Sequence, residues 1–243
     1  MTEALASELA PTGVLRVALN MRNELLVSGR EPNGEPAGVS PDMGREIARR
    51  LGVEPRFIEY PDAGAVADAV IENAWDIGAI GAEPQRAEWI AFTPAYCEIE
   101  ATYLLPAGSP IARIEEVDEP GRRIAVMGRA AYGLWLERNL KNAELVRADT
   151  HEAARERFLS DGLDALAGLR TRLIADAAQR PGARLLDGRF TAVQQAIGTP
   201  SRNTAGAVWL TATVEALKRD GFVGGLIRKH AIEGLSVAPA ETR

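Results

Sequence analysis

The chain has 243 residues, of which 46% are apolar and 26% charged, a composition typical of a soluble globular protein with one large or two small domains. Its net charge of -6 includes no run of Lys or Arg flanked by aromatic residues, so nucleic acid is not an expected partner. With the single cysteine Cys97 and two histidines, the sequence excludes an internal disulfide and shows no metal-ligand cluster, and we expect no cofactor.

The sequence also bears on membranes and export. No stretch approaches the about 18 consecutive apolar residues of a transmembrane helix, so we expect no membrane insertion. The first residues, MTEALASELAPTG, lack both the cationic and the apolar region of a signal peptide. The chain as written therefore predicts either a cytoplasmic protein or an exported protein whose signal it does not show.

The first half predicts alternating strands and helices. Apolar residues in a short run predict a strand, and apolar residues every four positions predict a helix, here opened by Asp42 as an N-cap or first-turn acid and stopped by Gly52. The predicted order is a strand at Leu15–Leu19, a helix from Asp42 to Gly52, a strand at Arg56–Tyr60, a helix over 63–73 and a strand at Asp76–Ile80.

The second half repeats this order. It predicts a strand at Arg123–Met127, a helix through Tyr132–Leu140, a strand at Glu144–Ala148 and a helix through Ala154 and Phe158. Strands that alternate with helices form parallel sheets through right-handed crossovers. The fold class is therefore predicted as α/β, with two lobes that each contain a mostly parallel sheet flanked by helices.

The closing segments of the two halves also correspond. Residues 74–79 and 162–167 share the pattern of an acid that opens a small, apolar strand. We expect two hinge crossings, near Glu100–Leu105 and near Arg189–Ala196, after which an apolar strand and a helix return to the first lobe. The predicted domains are lobe 1 at residues 1–103 and 196–243, and lobe 2 at residues 104–195. Because such sheets bind ligands beyond the carboxyl ends of their strands, the cleft between the lobes is the predicted site.

Three stretches carry a family resemblance. They are Leu15–Ala18 as the first strand, Gly38–Asp42 opening a helix that ends Arg50–Leu51–Gly52, and Glu83–Ala87 leading to Phe92–Tyr96. With these the chain resembles, from Gly13 to about Leu235, the bacterial extracellular solute-binding proteins of family 3, which serve polar amino acid importers and have the type II periplasmic binding protein fold. The resemblance implies a periplasmic, ligand-binding protein with an ABC permease as partner.

The resemblance also implies a carboxylate site. In the family an Arg at the position of Arg86 takes the ligand carboxylate, while backbone groups at the positions of Ala79 and Gly81 contact the rest of the ligand. A planar guanidinium suits this role because it makes two parallel charge-assisted hydrogen bonds. In the second lobe a hydroxyl-bearing turn is usual, and here that turn reads Gly128-Arg129-Ala130. The hydroxyl is missing, but the N–H groups at a helix start, with the charge of Arg129, still favour an anion.

One departure from the family pattern affects the ligand class. Amino acid binders carry an acid for the ligand ammonium where this chain has Leu169, followed by Arg170. Either Glu100 or Glu98 at the first crossing replaces that acid, with Glu100 preferred, or the ligand has no amine and the site is more cationic than usual. Burying an ammonium without an acceptor would cost several kcal/mol, so one of these two alternatives must hold if the cleft closes tightly on the ligand.

Strand ends supply the remaining candidates. Asn20 and Asn23 follow the first strand at its carboxyl end, and Gln195, with Gln194 beside it, lies at the second crossing. The full candidate set for ligand binding is Arg86, Gly81, Ala79, Asn20, Asn23, Glu100, Arg129, Ala130, Gln195 and Arg170, with no catalytic residue.

The leading functional hypothesis is a monomeric solute-binding component of an ABC-type importer that closes on a small carboxylate, either amino acid-like or an organic acid. One alternative is an enzyme on the same scaffold, resembling the cyclohexadienyl dehydratases, for which a general acid such as Glu100 would be needed. A second alternative is a cytoplasmic ligand-binding or sensory module without a transporter.

Overall fold

The computed structural model describes residues 2–240 and shows an α/β protein of two compact units. Unit 1 runs up to Glu98 and resumes at Gln194, and unit 2 is Ile99–Val193. The chain passes from unit 1 to unit 2 within one strand and returns within another, so the predicted class and the two crossings are confirmed. The exact lobe boundaries proposed from the sequence stay a prediction.

Strands and helices alternate along most of the chain. The strands are β1 (Val14–Asn20), β2 (Gly29–Arg30), β3 (Pro36–Ala37), β4 (Glu54–Tyr60), β5 (Ile77–Gly81), β6 (Ile90–Phe92), β7 (Cys97–Leu105), β8 (Arg123–Met127), β9 (Glu144–Ala148), β10 (Ala165–Leu169), β11 (Arg184–Leu185), β12 (Thr191–Pro200) and β13 (Leu235–Val237). The α-helices are α1 (Glu3–Leu9), α2 (Val39–Leu51), α3 (Ala63–Asp68), α4 (Ala131–Asn139), α5 (His151–Ser160), α6 (Arg170–Ala178), α7 (Thr204–Arg219) and α8 (Phe222–Lys229), and a 3-10 turn spans Ile114–Val117. Within residues 2–240, no helix combines the length and the apolar character that crossing a bilayer requires.

The sheet of unit 1 has the strand order β4-β1-β5-β12, with β6 on β12. β1 runs parallel to both β4 and β5, whereas β12 is antiparallel to β5. The helix α2 packs on this sheet through Met43, Ile47 and Leu51, the four-residue spacing that predicted it, and all three side chains are buried. Burial of this stripe stabilises the helix more than its intrinsic propensity does.

The sheet of unit 2 has the order β7-β10-β8-β9, with β11 on β7. β8 runs parallel to β10 and β9, and β7 is antiparallel to β10. Its core contains eight buried apolar side chains from strands and helices: Leu104, Ala125, Val146, Ala154, Phe158, Leu163, Leu166 and Leu173. Unit 2 is therefore a second α/β layer structure with a core of its own.

The same acid contact is built into both sheets. In unit 1 the Asp76 carboxylate accepts the Arg16 backbone N–H at 2.8 Å, and the Asp76 N–H donates to the Arg16 carbonyl at 3.0 Å. In unit 2 Asp164 and Arg123 make the same two bonds, at 2.8 and 3.0 Å. The correspondence of residues 74–79 with 162–167 thus has a physical basis, because each acid bonds to the neighbouring parallel strand.

Several element boundaries differ from the predictions. α2 begins at Val39, so Asp42 is a first-turn acid rather than the N-cap. The N-cap is Gly38, whose φ of 140° and contact with the Leu26 carbonyl leave no room for a Cβ. The helix predicted over 63–73 ends at Asp68 and is followed by turns over 69–73, the last of which has a positive φ of 55° at Asn73. The helices α1, α6 and α8 were not predicted.

Candidate functional site

The carboxyl ends of β1 and β5 lie at one edge of the unit 1 sheet, here called the unit 1 carboxyl edge, because the two strands are parallel. Arg86 follows β5 on a tight turn in which its N–H donates to the Glu83 carbonyl at 2.9 Å. Its guanidinium Nη1 donates to the Gly81 carbonyl at 2.6 Å, and the residue is only 6% exposed. The positive charge of Arg86 is therefore fixed at this edge rather than solvated on the surface.

Gln195 and Ala79 are brought to the same edge by strand pairing. Gln195 on β12 lies opposite Gly81 on β5, and Ala79 lies between Leu19 of β1 and Ile197 of β12. Both Ala79 and Gln195 are buried. Three predicted residues, Ala79, Gly81 and Gln195, therefore cluster with Arg86 in unit 1.

The two asparagines after β1 have different roles. The Asn20 Oδ1 accepts the Arg22 backbone N–H at 3.1 Å and so fixes the turn. The Asn23 carbonyl accepts the N–H groups of Leu26 and Val27, each at 2.9 Å, which holds that residue in place. Its side-chain Oδ1 is buried, yet within residues 2–240 no donor reaches it. A buried acceptor without a donor costs free energy, and a bound molecule with an N–H or O–H group would remove that cost.

The second carboxyl edge belongs to β8, β9 and β10 of unit 2, which are parallel and end at Met127, Ala148 and Leu169. We call it the unit 2 carboxyl edge. Arg129 lies here, after β8, with a positive φ of 57° that is uncommon for a residue with a side chain. The Ala130 N–H donates to the Gly128 carbonyl at 2.7 Å. The Ala130 N–H is therefore used within the turn, and a role of Ala130 in ligand binding stays a prediction.

Glu100 does not stand alone at this edge. The Arg170 Nε donates to Glu100 Oε2 at 2.7 Å, and the Arg189 Nη1 lies 3.6 Å from Glu100 Oε1. Arg170 also donates to the Gly188 carbonyl. Glu100 was the preferred replacement for the missing ammonium acceptor, but two guanidiniums already neutralise it. The other suggested acid, Glu98 in unit 1, accepts a hydrogen bond from Gln194 Nε2 at 3.0 Å.

Sequence reasoning missed two buried polar groups near these edges. His151, the first residue of α5, bonds through Nε2 to the Asp176 carboxylate at 2.7 Å, and Arg155 lies 3.6 Å from the other oxygen. The position of His151 just beyond β9, after the N-cap Thr150, was the available signal. The second group is Glu83, which is buried in the turn that presents Arg86.

Comparison of the chain with known proteins identifies its family. The model of the bacterial extracellular solute-binding proteins, family 3, matches residues 15–232. The chain belongs to this family. A curated relative, a probable amino-acid ABC transporter periplasmic-binding protein (y4tE) of Sinorhizobium fredii, is 27% identical over 129 residues. That match covers 51% of this chain and 42% of the relative, so it spans less than half of the relative's length.

Solved structures of family-like proteins have the same fold. A mutant of ArgBP from T. maritima superposes with a TM-score of 0.73 at 20% identity, covering 95% of this chain and all of that one (100%). An ancestral amino acid-binding protein, a precursor of cyclohexadienyl dehydratase, gives 0.70 at 20% identity, with 92% and 97% covered. The predicted two-lobed type II periplasmic binding protein fold is thereby confirmed.

Proposed function

We propose that this family 3 chain is the solute-binding component of an ABC-type importer and that it binds a small carboxylate-bearing molecule at the unit 1 carboxyl edge. The observation that carries the proposal is Arg86, a buried guanidinium held by the Gly81 carbonyl beyond the end of β5. Ligands of open α/β sheets bind at this end of the strands. In this proposal Arg86 takes the carboxylate, with Ala79, Gly81 and Gln195 lining the same position.

The chemistry of Arg86 supports that role. A guanidinium stays protonated even when buried, and its planar fork matches the two oxygens of a carboxylate. The contact with Gly81 fixes the side chain before the ligand arrives, which reduces the entropy lost on binding. Asn23 supports the same proposal, because its buried Oδ1 lacks a donor within residues 2–240 and a ligand N–H or O–H group would supply one.

The partner and the location follow from the family rather than from the site. Family members are extracellular binding proteins, and the Sinorhizobium fredii relative is described as the periplasmic component of an amino-acid ABC transporter. We therefore propose that this protein is a periplasmic monomer that delivers its ligand to an ABC permease. A cytoplasmic sensory module is the alternative, and fractionation of the native host would decide between them.

Binding without chemistry is favoured over a dehydratase. A dehydratase needs a carboxyl kept protonated, commonly in an apolar setting, to donate a proton to the leaving hydroxyl. Glu100, the acid considered for this role, is ion-paired with Arg170 and Arg189, which is the opposite setting. The likeness to a dehydratase precursor concerns a protein that is itself called an amino acid-binding protein.

Native mass spectrometry of the freshly purified protein tests the proposed function. We expect a bound solute at one copy per chain, identified after release as an acid. A thermal-shift panel of small carboxylic acids then checks that the released acid raises the melting temperature of ligand-depleted protein. A protein that retains no solute and that no acid stabilises would contradict the proposal.

A further inference from the structure

The segment Leu235–Pro239, here called the tail strap, folds back on unit 1. It consists of β13 and the two residues that follow, and β13 packs on α8. Ala238 is only 4% exposed and donates its backbone N–H to the Tyr96 carbonyl at 3.2 Å. Tyr96 directly precedes β7, so the strap is bonded to unit 1 close to the point where the chain leaves this unit.

A buried lysine holds the end of the strap. Lys218 lies in the last turn of α7, and its side chain is only 3% exposed. Its Nζ donates to the Pro239 carbonyl at 2.8 Å and to Glu215 Oε1 at 2.6 Å. Because a buried ammonium is costly unless it is paired and hydrogen-bonded, detaching Pro239 would leave Lys218 only partly compensated. The strap is therefore held by a charge-assisted contact as well as by apolar packing.

Tyr96 connects the strap to the strand that carries Gln195. Tyr96 is fully buried, so water cannot replace a donor that its carbonyl loses. Its hydroxyl lies 2.8 Å from the Ser40 hydroxyl on α2, which fixes the ring. Its backbone N–H donates to the Gln195 carbonyl at 2.8 Å. Tyr96 is therefore hydrogen-bonded to the strap through its carbonyl and to β12 through its N–H.

The strand β12 in turn lies beside the residues that hold Arg86. Gln195 is opposite Gly81 on β5, and the carbonyl of Gln194 accepts the Ala82 N–H at 2.8 Å. The Gly81 carbonyl accepts the bond from Arg86 Nη1 at 2.6 Å. Each step from the strap to Arg86 is thus a hydrogen bond or a strand pairing within unit 1. Such a series of contacts becomes energetic coupling only when a measurement shows it.

We propose that the tail strap positions the carboxylate site of unit 1, because by holding Tyr96 it keeps Gln195 in place beside Gly81. The inference rests on the proposed function, in which Arg86 takes a ligand carboxylate and Gln195 lines the same position. A side chain that is ordered in advance loses less entropy when a ligand binds. The strap therefore contributes to ligand affinity without contacting the ligand.

Hydrogen exchange of the ligand-free protein tests the structural step. Lys218→Met removes the ammonium that holds Pro239, and Ala238→Pro removes the N–H that bonds to Tyr96. Each variant should raise the exchange rate of the Tyr96 N–H at least about tenfold, while the amides of β1 keep the wild-type rate. Ala240→Pro is the control, because Ala240 is exposed and lies beyond the strap, and it should change neither rate.

Calorimetric titration tests the functional step, with the acid that wild type retains or that stabilises it most. At a temperature where circular dichroism shows each variant fully folded, Lys218→Met and Ala238→Pro should each bind it about threefold to tenfold more weakly. This range corresponds to the cost of ordering one side chain. Ala240→Pro should bind as wild type does.

A double-mutant cycle asks whether the effect passes through Gln195. Lys218→Met should weaken binding less in a Gln195→Ala background than in wild type, because the side chain that the strap positions is already absent. Ala238→Pro acts on the other end of the same contact, so it replaces Lys218→Met in the cycle if that variant does not fold.

This inference and the proposed function fail in different ways. If both strap variants bind the acid as tightly as wild type, or if only the amides of the strap itself exchange faster, the strap merely covers the core. That result overturns the inference and leaves the proposed function intact. Additive effects in the cycle would also overturn it, since the strap would then act elsewhere than on Gln195. If wild type binds no acid, the proposed function fails and this inference fails with it.

Discussion

The two units share one structural device and differ in what surrounds it. Asp76 and Asp164 make the same backbone bonds to the neighbouring strand, but their side chains are 2% and 28% exposed. The Asp76 carboxylate also accepts hydrogen bonds from the Arg16 guanidinium, through Nε and through Nη2 at 2.7 Å. The Asp164 carboxylate accepts a single side-chain hydrogen bond from Arg122, at 3.1 Å. The same contact can therefore contribute differently to the free energy of unfolding in the two units, because its contribution depends on how deeply it is buried.

The carboxyl edges differ in a second way. Unit 1 presents one buried cation, Arg86, on a backbone carbonyl, while unit 2 presents a partly exposed cluster of Arg170, Arg189 and Glu100. A buried cation held by a carbonyl is fixed before any ligand arrives, whereas a partly exposed ion cluster is screened by water. The predictions below test the first difference by stability and the second by binding.

The largest expected effect on stability is at Asp76. Asp76→Ala removes a carboxylate that is 2% exposed and leaves the Arg16 guanidinium, whose side chain is 15% exposed, without its charge partner. It should therefore lower the free energy of unfolding by about 3–5 kcal/mol. Asp164→Ala is the matched variant and should lower it by about 1–2 kcal/mol, because water replaces the lost bonds at a partly exposed site. Chemical denaturation of both variants, followed by circular dichroism, measures the difference. Equal losses would show that burial does not distinguish the two units.

A smaller effect, of opposite sign, is expected at Asn23. Because its Oδ1 is buried without a donor within residues 2–240, Asn23→Ala should leave the ligand-free stability unchanged or raise it by about 1 kcal/mol. The same variant should weaken ligand binding, since the acceptor is lost. Thermal denaturation with and without ligand separates the two effects. A clear destabilisation of the ligand-free protein would assign Asn23 a purely structural role.

Much of the fold could be predicted because periodicity and repetition act locally. The strands at 123–127 and 144–148 have the predicted bounds, and the buried stripe of α2 was read from its spacing. The helices α6 and α8 were missed because their sequences, RTRLIADAA and FVGGLIRK, lack a clear cap or include glycines, and tertiary packing overrides those weak local signals.

For the candidate site, the sequence could predict which residues lie at the ends of strands but not which side chains they contact. The family resemblance pointed to Arg86 and Gly81, and the second crossing pointed to Gln195. The structure brings these three residues to one edge of the unit 1 sheet, and their role in binding stays a prediction. The sequence could not show that Glu100 is neutralised, since its partners Arg170 and Arg189 are 70 and 89 positions away in sequence. Contacts of that separation depend on the register of β7 and β10, which composition and periodicity do not specify.

The central claim is that Arg86 anchors a ligand carboxylate, and titration calorimetry of Arg86→Ala, Arg86→Lys and the control Arg30→Ala tests it most directly. The ligand is the acid that wild type retains or that stabilises it most. Losing a buried charge pair costs about 2–5 kcal/mol, so Arg86→Ala should bind roughly thirtyfold to several thousandfold more weakly. Arg86→Lys should recover little because a point charge cannot form the fork. Arg30→Ala, which removes an exposed pair with Glu59, should bind as wild type does. If Arg86→Ala also binds as tightly as wild type, the carboxylate anchor is not Arg86.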